Sequence, residues 1–191
     1  MFDFTTLISI ALGIGLAAAS GFRVFLPLFA LSLSAYFGLW PLNENFQWLA
    51  SVPALIILGV ATVAEIGAYL FPFIDNLLDT LAVPLAGVAG TAVMASTTAD
   101  LSPAVTWTLA VIAGGGAAAA VKGINATARA AGTATTAGLA NPVVSVAETG
   151  AAAGMAALSL FVPFLTLGVL LVLVFWLWRR YRGFQARRMV N

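Results

Sequence analysis

The sequence predicts an all-α, polytopic transmembrane helical bundle with an internal duplication. The chain of 191 residues is 62% hydrophobic and only 8% charged, whereas about a quarter of the residues in a soluble domain are charged. The apolar residues form several runs close to the length of about 20 residues that a helix needs to cross a bilayer. In addition, sequence blocks in the first half of the chain recur in the second half.

Turn and helix-start signals divide the chain into about six to eight membrane segments. Three of these signals are a capping residue followed by an early proline, at Ser51-Val52-Pro53, Ser102-Pro103 and Asn141-Pro142. The expected segments cover about residues 4–19, 24–40, 52–71, 80–97, 103–121, a sixth within 122–140, 141–161 and 163–178.

The duplication rests on two matched blocks. Residues 6–21 and residues 108–123 are identical at eight of sixteen positions, although Ala-rich sequence matches easily by chance. The blocks VAEIGA and VAETGA follow in the same order and place Glu65 and Glu148 at equivalent positions. In duplicated membrane proteins the substrate site commonly lies at mid-membrane between the repeats. Glu65 and Glu148 are therefore predicted to be pseudo-symmetric partners.

The sixth segment is expected to be a broken or re-entrant helix. The first half has 44 residues between Gly21 and Glu65, but the second has only 25 between Gly123 and Glu148. A complete crossing and its return do not obviously fit into the shorter interval. This ambiguity leaves both the number of spans and the choice between inverted and parallel repeats open.

We expect residues 1–178 to form a single membrane domain, with repeats at about 4–98 and 103–178, and residues 179–191 to form a basic tail. This tail holds five of the eight basic residues, namely Arg179, Arg180, Arg182, Arg187 and Arg188. The positive-inside rule predicts a cytoplasmic C-terminus in contact with anionic lipid. The rest of the chain has a negative net charge, which does not favour nucleic-acid binding. The first apolar run lacks the basic start of a signal peptide and is interpreted as a transmembrane helix.

The absence of cysteine and histidine excludes disulfides, thiol catalysis, thiolate metal sites and histidine-based triads. No cofactor and no metal site are expected, and an enzyme is the least favoured class of protein. Asp75 and Asp79 stand four residues apart on one face of a helical turn and are a possible cation or proton path. Alternatively, Asp79 caps the fourth segment and Asp75 faces water.

The most polar long stretch, residues 122–151, lies between apolar runs and carries Lys122, Arg129 and Glu148. Ionisable groups at membrane depth are costly and indicate a functional site. We expect Glu65 and Glu148 to be proton- or cation-responsive, with Arg23 and Arg129 as counter-charges or anion contacts. The alternative is a fixed salt bridge that holds the helices together.

Further candidate contacts come from the same polar stretch. The residues GTATTAGLANP combine hydroxyls, small side chains and glycines, a composition that allows the backbone to unwind and line a cavity. Thr135, Thr136 and Asn141 are the expected polar lining, and Asn125 is a further candidate contact. A tightly packed small-residue helix is the alternative.

Three blocks, TTAGLANPVVSVAE, SGFRVFLPLFAL and PFIDNLLD, resemble the bacterial integral-membrane family known as domain of unknown function forty-one twenty-six. The resemblance covers most of the chain outside the tail, and NPVVS-x-x-E is its most specific part. It implies a compact, duplicated helical membrane fold in bacteria and implies no activity.

The function expected from the residues is that of a multi-pass permease, channel or transporter of the bacterial inner membrane. Its ligand would be an unknown small solute or ion, bound between the two repeats. The alternative is a non-transporting scaffold or accessory subunit that binds lipid or another membrane protein. The lipid bilayer is the expected surrounding, and a homo-oligomer is possible.

Overall fold

The computed structural model describes residues 3–69, 72–98, 101–136 and 141–188, and within these ranges the side chains of 72–77, 79–80, 177–178 and 180–188 are not described. Every regular element in these ranges is helical, which confirms the all-α prediction. The α-helices are α1 (Phe4–Ser20), α2 (Phe25–Tyr36), α3 (Val52–Ala68), α4 (Pro72–Thr97), α5 (Pro103–Leu109), α6 (Gly116–Thr136), α7 (Asn141–Phe161) and α8 (Pro163–Arg188). A 3₁₀-helix, Glu44–Ala50, precedes α3, and a π-helical segment, Ala110–Gly115, joins α5 to α6.

Helix α1 lies at the centre of the bundle and packs against α4, α6, α7 and α8. It begins where the Asp3 carboxylate accepts the N–H of Phe4 at 2.7 Å, which satisfies one of the free N–H groups at the helix start. Nearly all of its second half is buried. The main apolar core consists of Leu12, Leu16, Ala19, Leu31, Val93 and Ala156.

Small residues allow α4 to approach the π-helical segment very closely. A Cβ atom added at Gly90 would lie 2.6 Å from the carbonyl oxygen of Gly114 and 2.5 Å from the Cβ of Ala118. A Cβ atom at Gly114 would in turn lie 2.5 Å from the carbonyl oxygen of Gly90. The two backbones are therefore in contact, as in the small-residue interfaces of membrane helices.

The described part of the sixth segment, residues 122–136, is helical without a break, whereas residues 137–140 of the stretch GTATTAGLANP lie outside the described residues. Residues Pro103–Thr136 form one run of 34 helical residues that passes through Lys122 and Arg129. No unwinding is needed, because both of these buried cations have side-chain partners. The prediction of a broken or re-entrant sixth segment is not confirmed. A bent pair occurs instead between Glu44–Ala50 and Val52–Ala68, whose axes differ by 71°.

Among the described residues, two helices are long and apolar enough to cross a membrane, Pro103–Thr136 and Asn141–Phe161, and the bent pair could make a third. In the other helices, the apolar stretches whose side chains are described are shorter, at 10–17 residues. The protein is thus helical and has membrane-spanning candidates, but the predicted six to eight spans are not confirmed.

The internal duplication is not confirmed either. Glu65 lies in the last turn of α3, whereas Glu148 lies near the middle of α7. The two glutamate blocks therefore occupy different positions along their helices. Helix α8 continues past residue 178 to Arg188, and the division into a membrane domain and a basic tail stays a prediction.

We expect Gly90→Ala to lower the apparent melting temperature of the detergent-solubilised protein. The added methyl group has no space, and overpacking of this kind costs about 1–3 kcal/mol. Gly87→Ala is the matched control on the same helix, because the atoms nearest to its added Cβ would lie at ordinary contact distances of 3.8 and 3.9 Å. Equal melting temperatures for the two variants would contradict the close helix contact.

Candidate functional site

Five charged residues and one tyrosine form a buried group that we term the Tyr69 cluster. Its members are Tyr69, Arg23, Glu65, Lys122, Arg129 and Glu148. Arg23 lies in the link between α1 and α2, Tyr69 follows the last residue of α3, and Glu148 is on α7. Lys122 and Arg129 are seven residues apart on α6, which places them on the same helix face.

The Tyr69 ring lies among three cations. The guanidinium carbon of Arg23 is 4.2 Å from the ring centroid, Lys122 Nζ is 5.1 Å away, and the Arg129 guanidinium carbon is 5.2 Å away. Lys122 also donates a hydrogen bond to the Tyr69 hydroxyl at 3.3 Å. All four side chains are buried, and desolvation strengthens the attraction between a cation and an aromatic face.

Arg23 connects the link between α1 and α2 to α7. Its side chain is 0% exposed, and its Nε donates to the Thr149 hydroxyl at 3.0 Å. Its Nη2 donates to the carbonyl oxygen and the hydroxyl of Ser145 at 2.7 and 2.6 Å. A buried charge without such partners would be strongly destabilising.

Glu148 faces basic side chains. One of its carboxylate oxygens, Oε2, accepts a hydrogen bond from Arg129 Nη1 at 2.9 Å and lies 4.0 Å from Arg23 Nη2. This geometry matches the salt bridge that the sequence analysis held as the alternative. Two other buried atoms of these side chains, Glu148 Oε1 and Arg23 Nη1, have no hydrogen-bond partner within the described residues.

Glu65 has a different kind of partner. Its two carboxylate oxygens accept the backbone N–H groups of Val24 at 2.7 Å and Phe25 at 3.0 Å. Val24 itself makes no side-chain capping bond, so a glutamate from another helix caps the start of α2. Glu65 and Glu148 both belong to the cluster, but their bonding is not equivalent.

The predicted polar lining lies further along the contact between α6 and α7. Asn141 is buried, and its Oδ1 accepts a hydrogen bond from the Thr133 hydroxyl at 3.2 Å. Asn141, Ser145 and Glu148 are spaced four and three residues apart and belong to the buried face of α7. Asn141 is therefore near the cluster along the same interface.

Two other predicted residues, Thr135 and Thr136, donate hydrogen bonds within their own helix. Thr135 is exposed and donates to carbonyls of its own helix, and Thr136 donates to the carbonyl of Gly132 at 2.8 Å. Asn125 is partly buried, and its Nδ2 is buried with no partner within the described residues. The side chains of Asp75 and Asp79 lie outside the described part.

Three residues of the site were missed by the sequence analysis. Ser145 and Thr149 are four residues apart on α7, on either side of Glu148, and form part of the blocks already noted, so their positions carried a usable signal. Tyr69 lies four residues after Glu65, on the same face of the chain at the end of α3. An aromatic residue at the end of an apolar helix is ordinary, however, and nothing in the sequence relates it to three distant cations.

A cavity of about 270 Å³ adjoins the cluster. Glu65 and Tyr69 form its polar edge, and its other walls are apolar, including Phe25, Leu78 and Leu85. Among the described residues no group of three or more His, Cys, Asp or Glu side chains could hold a metal ion. The arrangement can hold buried charges in a fixed geometry and can offer a small polar molecule both a donor and an acceptor.

The fold and the cluster define a helical protein with candidate membrane spans and a buried ionic centre. The chain belongs to the family described as domain of unknown function (DUF4126), which matches residues 10–182, and the resemblance noted in the sequence is thereby confirmed. No curated protein and no solved structure matches the chain.

We expect Glu148→Ala to destabilise the protein by about 3–5 kcal/mol, because it removes one partner of a buried ion pair and leaves the other charge uncompensated. Unfolding by sodium dodecyl sulfate, followed by circular dichroism, measures this loss. Glu44→Ala is the control, because Glu44 is exposed and lies outside the cluster. A loss below 1 kcal/mol for Glu148→Ala would be incompatible with a structural ion pair.

We expect Glu65→Ala to destabilise α2 by about 1–2 kcal/mol, the usual range for loss of a helix cap. Glu65→Gln should lose less, because its amide oxygen still accepts one of the two N–H groups. Amide hydrogen exchange reports this change locally, with faster exchange at Val24 and Phe25 than in the parent. Unchanged exchange in Glu65→Ala would show that the carboxylate does not cap the helix.

Proposed function

We propose that the protein is a small permease of the bacterial inner membrane that binds a small solute or ion at the Tyr69 cluster. The observation that carries this proposal is that two buried atoms, Arg23 Nη1 and Glu148 Oε1, have no hydrogen-bond partner among the residues that the structure describes. Buried polar atoms in proteins nearly always have partners, which include water and ligands. A small molecule or ion that engages these two atoms would complete the bonding of the cluster.

The location of the cluster supports the same proposal. Glu148 and Lys122 belong to the two helices that are long and apolar enough to cross a membrane, and intramembrane ionisable residues characterise solute and ion pathways. Glu65 and Tyr69 also border a cavity beside the cluster, which would serve as an approach route. The basic tail would lie in the cytoplasm, and the protein would carry no enzymatic activity.

The cluster joins several helices, as a coupling site in a permease would. Arg23 contacts α7, Glu148 contacts α6, and Glu65 contacts the start of α2. A ligand that competes with the contact between Arg23 and Glu148 would therefore change the restraints on all of these elements. This arrangement would connect ligand binding to helix movement.

The permease proposal is tested by flux into liposomes that contain the purified protein. The probes are protons, sodium, chloride and glycerol, measured by pyranine or ion-selective dyes and, for glycerol, by stopped-flow light scattering. For at least one probe the parent should exceed protein-free liposomes at least tenfold. Glu148→Gln should abolish this excess, and the exposed control Glu44→Gln should retain it.

A double variant, Arg129→Gln with Glu148→Gln, separates loss of function from loss of folding. It removes both charges of the pair together, which avoids the penalty of a lone buried charge. Insertion and a single size-exclusion peak, together with lost flux, are expected. A parent that is no faster than protein-free liposomes for every probe would overturn the permease proposal.

An accessory or scaffold subunit is the second candidate. It is favoured by the internal partners of both glutamates, because Glu148 pairs with Arg129 and Glu65 caps α2. Bonds of this kind can join helices without any part in transport. Copurification of one membrane protein at a fixed ratio, with no flux in the parent, would support this candidate.

A further inference from the structure

A second, larger cavity lies away from the Tyr69 cluster, in a groove formed by α2, α3 and α7. Its volume is about 640 Å³, and its walls are almost entirely apolar, with Leu26, Phe29 and Leu33 on one side and Ala153 and Ala157 on the other. This volume is typical of sites that hold small organic molecules. An apolar groove alone does not identify its occupant, so the polar atoms along it are decisive.

The groove contains a hydroxyl group that lacks a partner. Ser34 lines the groove and is 5% exposed, and its Oγ has no hydrogen-bond partner in the part of the chain that the structure describes. Neighbouring hydroxyls do have partners: Ser32 Oγ donates to the carbonyl of Leu49, and Thr62 Oγ1 donates to that of Leu58 at 2.7 Å. Buried hydroxyl groups nearly always have a hydrogen-bond partner, and in a groove that partner can be a bound molecule.

The position of Ser34 along the groove suggests where such a partner would lie. Ser34 is near the end of α2, where Phe37 is exposed and Trp40 donates a hydrogen bond to the carbonyl of Leu160 at 3.1 Å. Aromatic side chains at the end of a membrane helix are typical of the headgroup level. The opposite end of the groove, at Leu26, is apolar apart from Thr62, whose hydroxyl donates to a carbonyl of its own helix.

The length of the groove matches one leaflet. Eight residues separate Leu26 from Ser34 on α2, a rise of about 12 Å at about 1.5 Å per residue. Half of the hydrocarbon core of a bilayer is about 15 Å. The other wall belongs to α7, which is itself apolar and long enough to cross a membrane, so the groove opens beside a helix face suited to hydrocarbon.

We propose that this groove is a specific binding site for one acyl chain of a phospholipid. The chain lies along α2 from Ser34 toward Leu26, and its ester carbonyl accepts the hydrogen bond of the Ser34 hydroxyl. The proposal is independent of the permease function, because no residue of the Tyr69 cluster lines the groove.

Fluorescence quenching tests the site. Trp40 lines the groove, and a variant with Trp48, Trp107, Trp176 and Trp178 replaced by phenylalanine retains it as the single tryptophan. Delipidated protein in detergent is titrated with phosphatidylglycerol that carries brominated acyl chains. Quenching should saturate at one lipid per chain. Native mass spectrometry of the unaltered chain should show the same single retained lipid.

Variants on α7 provide the matched comparison. Ala157→Phe places a ring in the groove and should weaken saturable quenching at least tenfold. Ala151→Phe adds the same ring at another exposed position of α7 that does not line the groove, and should leave the affinity unchanged. Non-saturating quenching that is equal in the two variants would mean annular lipid only and would overturn the proposal. A dimer that Ala157→Phe converts to a monomer would instead assign the groove to a second copy of the chain.

Ser34→Ala tests the hydrogen bond separately. It should weaken lipid binding about three- to tenfold, as expected for one hydrogen bond of about 1 kcal/mol. The melting temperature of the lipid-free protein should not fall, because the hydroxyl has no partner to lose. Ser32→Ala, which removes an existing bond to Leu49, should lower the melting temperature and leave lipid affinity unchanged. Unaltered affinity in Ser34→Ala would contradict the assigned carbonyl contact.

Discussion

The cost of burying charge is the constraint on which this structure depends. Arg23 is fully buried, and a guanidinium cannot relieve that cost by losing its proton in a protein. The fold must therefore bring acceptors and an aromatic face to it. Ser145 and Thr149 supply the acceptors from α7, and Tyr69 supplies the ring. The link between α1 and α2 is thereby held against two distant elements of the chain.

The same constraint explains why carboxylates from α3 and α7 converge on one region although their bonding differs. Glu65 satisfies backbone N–H groups at the start of α2, where the positive end of the helix dipole also favours a negative charge. Glu148 instead compensates Arg129 and approaches Arg23. The ionic contacts set which helices meet, and close packing at Gly90 and Gly114 sets how near α4 and the π-helical segment lie.

Several residues of the site were predictable because the cost of burying an ionisable group depends on that residue alone. Arg23, Glu65, Arg129 and Glu148 are ionisable groups in apolar surroundings, and no fold could leave them there without partners. The break expected in the sixth segment is not confirmed, because the spacing between matched blocks does not measure the path of the chain, and residues 103–136 are helical throughout. An uninterrupted helix needs no unwinding once the side chains of Lys122 and Arg129 find partners.

The sequence by itself determined the helical class, the family and the residues that had to be paired, since composition and local polarity express these properties directly. Only the tertiary structure decided which partner each charge received. It assigned Glu65 to backbone N–H groups, Glu148 to Arg129, and Tyr69 to three cations. These pairings join residues up to 126 positions apart, as in the bond between Arg23 and Thr149. Their choice depends on how helices cross, and helix crossing has no local signature in the sequence.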